Sequence, residues 1–219
     1  MKKSGMRQLI WGCVWLAAFA VWTLLTKFAD VQAVGVKGTN VGLAGMNVWF
    51  HKLTGVHMGL YTVTDWLGLV PVAVCMGFGA MGLVQLIARR SLARVDCDLL
   101  ALGLYYGVVI GCYLLFEEVA MHYRPVLIEG RMEASYPSST TLLTLCVMPT
   151  FVQQVRARCA KNAWTRAVCA VATAFSALMV LGRLVSGVHW AADIIGGALL
   201  SAGLYALYSA AVRYVARKS

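Results

Sequence analysis

The sequence predicts an all-α integral membrane protein with six transmembrane helices. Of its 219 residues, 60% are hydrophobic and only 13% charged, about half the charged share of an ordinary soluble domain. Long apolar stretches run between the charges. They approach the roughly 20 residues a helix needs to cross the hydrocarbon core. They also far outrun the strands of about 9–11 residues that build membrane barrels. The charges that do occur gather at the ends of these stretches.

The first span is expected over about 8–27, the second over 66–88 and the third over 98–120. The fourth is expected over about 138–154, the fifth over 164–181 and the sixth over 189–212. No internal repeat interrupts them, and the chain reads as one domain over 1–219. Lys2, Lys3 and Arg7 precede the first apolar run. That run exceeds the 7–15 or so residues of a signal-peptide core, so it reads as an uncleaved helix. The spans leave three loops at one end of the bundle, about 28–65, 121–137 and 182–188. Of the 19 basic residues, thirteen lie at the other end with two acids, Asp96 and Asp98. The loop end carries six basic residues and seven acids. Cytoplasmic ends are the basic ones, so both termini are expected inside and the three loops outside.

In the first loop, Leu43, Met46, Trp49, Phe50 and Leu53 recur at near-helical spacing. This reads as a short helix in the headgroup layer or as a packed cap over the bundle. His51 and His57 of the same loop have no carboxylate at pairing distance in sequence, and read as headgroup-facing. A net charge of +10 does not mark a nucleic-acid binder, because the basic residues sit at helix ends rather than on one face. The seven cysteines, Cys13, Cys75, Cys97, Cys112, Cys146, Cys159 and Cys169, include no CxxC pair. They are expected to be small buried hydrophobes rather than disulfides or metal ligands.

The sixth span opens with Gly-Arg-Leu-Val-Ser-Gly-Val-His-Trp-Ala-Ala-Asp, residues 182–193. His189 and Asp193 are four apart and would share one helix face. A carboxylate beside an imidazole sets its tautomer and sharpens the free nitrogen as a nucleophile. Arg183, one loop earlier, has the planar fork that suits phosphate oxygens. The plainer alternative is a structural His–Asp pair with a snorkelling arginine. The second loop supplies Tyr123-Arg124-Pro125, which marks a turn. It ends in Tyr136-Pro137-Ser138-Ser139-Thr140-Thr141, a helix-start pattern. The amides of such a start, at Ser138, Ser139 and Thr140, favour an anion.

These residues resemble the type 2 phosphatidic acid phosphatase (PAP2) superfamily of membrane lipid phosphatases. Its three motifs are Lys-x6-Arg-Pro, Pro-Ser-Gly-His and Ser-Arg-x5-His-x3-Asp. The third is matched by Arg183-x5-His189-x3-Asp193, with Gly182 for Ser. The first is matched by Arg124-Pro125, with Glu117 where Lys would stand. The second is matched by Pro137-Ser138, with Ser139 for Gly and Thr140 for His. The resemblance implies a PAP2-like six-helix bundle that needs no metal or other cofactor. It implies that His189 attacks phosphorus to form a phosphohistidine, oriented by Asp193. Arg124, Arg183 and the amides around Ser138, Ser139 and Thr140 would hold the phosphoryl oxygens.

The resemblance implies that the second-motif histidine is a general acid for the leaving oxygen, and Thr140 cannot take that role near neutral pH. Loss of a general acid typically costs about 10²–10⁴-fold. An alkoxide suffers most, because its conjugate acid is about as weak as water. A phosphate monoester, with a second pKa of about 6, leaves without help. The expected substrate is therefore a lipid diphosphate, a polyprenyl diphosphate above all. Phosphatidylglycerophosphate and phosphatidic acid follow. His122 and Glu117 are candidate substitute acids, with Glu118 and Glu133 behind them; His122 is otherwise an ordinary interfacial histidine. Headgroup binding without turnover and phosphotransfer to another acceptor are the rival functions. The expected setting is the outer face of a bacterial cytoplasmic membrane, with the lipid bilayer and its phosphorylated lipids as partners and no nucleic acid.

Overall fold

The structure, a computed structural model, describes residues 2–215, with side chains from Gly5 to Tyr214. Lys2 and Lys3 therefore enter only as helix backbone. Arg217 and Lys218, two of the basic residues counted above, lie outside the described residues. The helices are α1 (Lys2–Phe28), α2 (Ala44–Thr54), α3 (Met58–Leu67), α4 (Leu69–Arg89), α5 (Cys97–Glu118), α6 (Ser139–Arg158), α7 (Ala163–Val185) and α8 (Ala191–Val215).

Among the described residues, five stretches are long and apolar enough to cross a membrane: Gly5–Phe28, Met58–Arg89, Cys97–Glu118, Ala163–Val185 and Ala191–Tyr214. The fourth expected span, α6, does not reach that apolarity. Its position explains why. It packs against α4, α5, α7 and α8, and buries Thr141, Thr144, Thr150 and Gln154 among its neighbours. A helix shielded by other helices faces little lipid and can carry polar groups that bond to protein. The Thr150 hydroxyl, for example, lies 2.8 Å from Tyr106 Oη. The core joins α5, α6 and α8 through Leu102, Tyr105, Val109, Leu142, Val147 and Leu204. The outer surface is the apolar one, with Ile10, Leu24, Met76, Val84, Leu104 and Leu178 exposed, as a lipid-facing surface requires.

Two boundaries depart from the sequence reading. The second span begins at Met58, not near 66. Its extra turns carry Thr62, Thr64 and Asp65, which read as loop residues. Yet Thr62 and Thr64 return their hydroxyls to Met58 O and Leu60 O at 3.0 and 2.9 Å. The stretch is divided at Gly68 because Pro71 has no N–H to give Leu67, and proline is tolerated only in a first turn. The fifth span runs on to Val185, so Arg183 stands in a helical turn rather than in a loop. Asn162 caps the start of α7, accepting from Thr165 N at 2.8 Å.

The expected short helix in the first loop is α2. Trp49 and Leu53 are exposed on it. Its other face is pinned to the bundle, where Asn47 accepts from Ala192 N at 3.0 Å and donates to Gly42 O at 2.9 Å. His51 is not free in the headgroups. Its ring packs on Trp190 at 5.5 Å, and burial there lowers its basicity. All seven cysteines are free; Cys146 and Cys169 are buried as expected, but Cys13, Cys97 and Cys159 are exposed.

Candidate active site

The corner between α7 and α8 is the foundation of the site. Gly187 has a positive φ of 68°, and a Cβ there would fall 1.8 Å from Gly55 O. Only glycine fits. The chain then delivers His189 just before α8 begins, not on the helix itself. Asp193 lies in the first turn of α8 and accepts from Trp190 N at 2.9 Å. This is the reach-back half of a capping box. The four-residue spacing still brings the pair together, with His189 Nδ1 3.5 Å from Asp193 Oδ2.

The second loop is a short antiparallel hairpin. Ile128 and Arg131 exchange backbone hydrogen bonds at 3.1 and 2.8 Å around Glu129-Gly130, both at positive φ, the pattern of a tight two-residue turn. Arg124 N donates to Glu133 O, and Ser135 N to His122 O. Alternate residues of paired strands share a face, so His122, Arg124, Glu133 and Ser135 form one set. They meet His189 and Asp193. Ser135 Oγ lies 3.3 Å from His189 Nδ1 and donates a short hydrogen bond to Asp193 Oδ2. Trp190 Nε1 ties the hairpin to the corner through Tyr123 O at 2.9 Å.

Arg124 Nη1 lies 3.2 Å from His189 Nε2. A guanidinium can only donate, so Nε2 is the accepting nitrogen and Nδ1 carries the proton toward Ser135 and Asp193. Burial, with Arg124 second, pushes the His189 pKa down to about 4. The imidazole is thus neutral at pH 7, with its lone pair on the arginine side.

The second guanidinium comes from Arg183, only 1% exposed. Its Nη2 donates to Thr140 Oγ1 at 2.8 Å and lies 3.4 Å from Asp65 Oδ1. Tyr61 lies under both arginines, 4.8 Å from Arg183 and 5.6 Å from Arg124, within cation–π range. Arg124 Nε is 3.1 Å from Glu133 Oε2. Among the described residues, Arg183 Nε and Nη1 and Ser138 Oγ are buried with no hydrogen-bond partner. Buried charge is costly unless matched, and two guanidiniums around one imidazole make a place for a multiply charged oxyanion.

The predicted residues divide in their placement. His189, Asp193, Arg124 and Arg183 come together. Thr140 holds Arg183 rather than standing apart from it. The Ser138 amide is engaged by Asp193 O at 3.1 Å, so it is not free for an anion. Ser139 lines a small cavity with Glu117, Ser135, Tyr136 and His189. Glu117 thus shares a cavity lining with His189. His122 Nε2 instead approaches Asp193 Oδ1 at 3.3 Å, facing the carboxylate and not Nε2 of His189. Sequence reasoning missed Ser135, Tyr61 and Asp65. For Ser135 the Glu129-Gly130 pair marks a turn but not the register that sets Ser135 opposite His122; Tyr61 and Asp65 had no signal.

A cavity of about 470 Å³ runs from Asp65, Ser139 and Thr140 down between α4, α5 and α6, lined by Leu69, Val72, Ile110, Leu143 and Val147 among others. Its mouth is thus shared with the Arg183 partners, and its depth is apolar. Among the described residues, no group of three or more His, Cys, Asp or Glu is placed to hold a metal ion.

One solved structure matches along nearly the whole length. It is the crystal structure of the first transmembrane PAP2 type phosphatidylglycerolphosphate phosphatase from Bacillus subtilis, with a TM-score of 0.52, 17% identity and 97% of each chain covered. At that identity the likeness speaks to the fold. No curated protein sequence matches the chain. The sequence model of the PAP2 superfamily matches residues 73–217, which include the hairpin, the start of α6 and the α7–α8 corner, and by that match the chain belongs to the PAP2 superfamily.

Proposed function

We propose that this chain is a lipid phosphatase that hydrolyses a polyprenyl diphosphate through a phosphohistidine on His189. The observation that carries the reading is the accepting Nε2 of a neutral, buried His189, flanked by a guanidinium and close to a second one with unpartnered N–H groups. In the proposed first step, Nε2 attacks the terminal phosphorus while its bond to the bridging oxygen breaks. The electron pair of that bond leaves with the lipid monophosphate. The positive charge gained by the imidazole is balanced by Asp193 through Nδ1 and Ser135. Arg124 releases Nε2 to a phosphoryl oxygen, and Arg183 offers Nε and Nη1 to others. Donors fixed where charge redistributes lower the barrier without reorganising. Water then attacks the phosphohistidine, the P–N bond breaks, and inorganic phosphate leaves.

No general acid stands where the family places its second-motif histidine, which favours a leaving group that needs none. The 470 Å³ cavity gives the first part of an apolar tail a place beside the arginines. Neither step calls on a metal. For topology we propose six crossings, with α6 as the sixth inside its ring of neighbours. The site end would face outward in a bacterial cytoplasmic membrane, since Arg89, Arg94, Arg156, Arg158, Lys161 and Arg166 crowd the other end. In that setting α2 would lie in the headgroup layer on its Trp49 face.

The test is inorganic phosphate release by the purified protein in detergent. A polyprenyl diphosphate, phosphatidylglycerophosphate and phosphatidic acid are compared, with His189→Ala as control. We expect fastest release from the diphosphate and none above background in the mutant. Strong turnover of phosphatidic acid with none of the diphosphate would overturn the substrate assignment. Full activity in His189→Ala would overturn the mechanism.

A further inference from the structure

We infer that His122 is a positioning residue for this reaction, acting through Asp193 as a second imidazole on the same carboxylate. The inference rests on the reading of His189 as nucleophile. The two oxygens of Asp193 are held unequally. Oδ2 is held by Trp190 N at 2.9 Å, by Ser135 Oγ and by the approach of His189 Nδ1. Oδ1 has no hydrogen bond of ordinary alignment, and Asp193 is wholly buried. The one cationic or donor group near Oδ1 among the described residues is His122 Nε2, at 3.3 Å. His122 is itself 3% exposed, and neither ring nitrogen has another partner among the described residues.

A buried carboxylate oxygen without a donor is costly, and so is a buried imidazole with both nitrogens idle. Nε2 and Oδ1 answer each other when Nε2 carries the proton and the ring turns to donate to Oδ1, which leaves Nδ1 as the accepting nitrogen. The surroundings fix His122 in that role. Its carbonyl accepts from Ser135 N at 3.0 Å, which locks it to the strand that supplies the other Asp193 donor. Its ring packs against Tyr136 at 5.7 Å, and Tyr136 Oη is held by Thr23 Oγ1 at 2.7 Å. One hairpin therefore clamps the carboxylate from both sides, Ser135 on Oδ2 and His122 on Oδ1. The clamp sets the rotation of the carboxylate, and through it the direction of the His189 lone pair. His122 makes no hydrogen bond or ion pair with His189 Nε2 or with the arginines, so its part in this inference is to position Asp193.

The variants His122→Ala, His122→Gln and His122→Asn test this. Glutamine can place an amide N–H near the position of Nε2, whereas asparagine is too short to reach Oδ1. Phosphate release from the preferred lipid and vanadate inhibition are measured for each, with thermal midpoints in detergent. We expect kcat to fall about 10- to 100-fold in the Ala and Asn variants, the scale of a misplaced reacting group. KM should stay within about threefold, because the arginines are untouched; vanadate, a mimic of the phosphorus under attack by Nε2, should weaken in step with kcat/KM; and Gln should recover most of both. Equal kcat in all four proteins would overturn the inference, as would equal losses in Gln and Asn or a loss lying wholly in KM. If the Ala variant does not fold, the Gln and Asn pair decides alone. Inactivity of the unmodified protein on every lipid phosphate would instead fail the proposed function, and is distinguishable for that reason.

Discussion

At the end of the bundle away from the site, Arg89 lies 2.8 Å from Asp96, and Arg158 lies 3.0 Å from Asp96 and 2.7 Å from Asp98. Gln85 donates to the same Asp96 carboxylate at 2.9 Å and accepts its backbone N–H at 3.0 Å. With Gln85 and two arginines donating, Asp96 is held well below the usual carboxylate range. At the site end, two other arginines meet acids less completely. Arg183 is 3.4 Å from an exposed Asp65 and Arg124 3.1 Å from a partly exposed Glu133. The same residue types thus make a closed network at one end and an open one at the other. The closed network is exposed, where each pair contributes about 0.2–1 kcal/mol. The open one buries its arginines, where an unmatched cation is disfavoured, as the proposed oxyanion site requires. Four arginines that look alike in sequence differ in whether an acid completes them.

The open end is most sensitive at Arg183. Replacing it by Leu is expected to lower kcat/KM for the lipid substrate by about 10²–10³-fold. Lys should recover little of this, because a point charge lacks the planar fork. Steady-state phosphate release measures both. An effect under threefold for Leu would mean that the unpartnered N–H groups are not used on substrate.

The acid side of the pH profile sharpens the same contrast. In the proposed mechanism His189 attacks only as the neutral base, so activity should be lost as pH falls through its pKa. With that value pushed down to about 4, kcat/KM should hold from pH 7 to about pH 5 and fall below it. An ordinary histidine would turn near 6.5. Burial is the larger cause and Arg124 the second, so Arg124→Leu should move the limb back toward neutral while lowering the rate. A limb near 6.5 in the unmodified protein would remove the electrostatic account.

The smallest effect is expected at the closed end. Arg158→Ala should leave kcat and KM within about twofold and reduce stability by at most about 1 kcal/mol, read as a small fall in thermal midpoint. A large loss of activity there would show that the two ends are coupled, and that the far network is more than a tie between α5 and α6.

Most of the scaffold was legible from the chain alone. Apolar runs of membrane length announce helices because lipid offers the backbone no hydrogen bonds, and the spacing Arg183-x5-His189-x3-Asp193 announces a shared site. Helix α6 was legible as a helix from Pro137 and its hydroxyl run, but its apolarity alone does not mark it as a span, because neighbouring helices rather than lipid surround Thr144, Thr150 and Gln154. The early start of the second span at Met58 was hidden for a similar reason, since Asp65 reads as a loop residue until Arg183 stands opposite. His122 was read as an interfacial histidine or a proton donor. Its place beside Asp193 depends on a hairpin whose pairing no local pattern dictates.

The chain by itself therefore determined the membrane class, the helical elements and the residue types of the site, because those follow from hydropathy and from local spacing. Which nitrogen of His189 faces Arg124, which arginines stay open and what surrounds each oxygen of Asp193 came only with the tertiary structure. Those depend on distances between α3, the hairpin, α6 and the α7–α8 corner, segments far apart in sequence whose side chains meet only when the bundle closes.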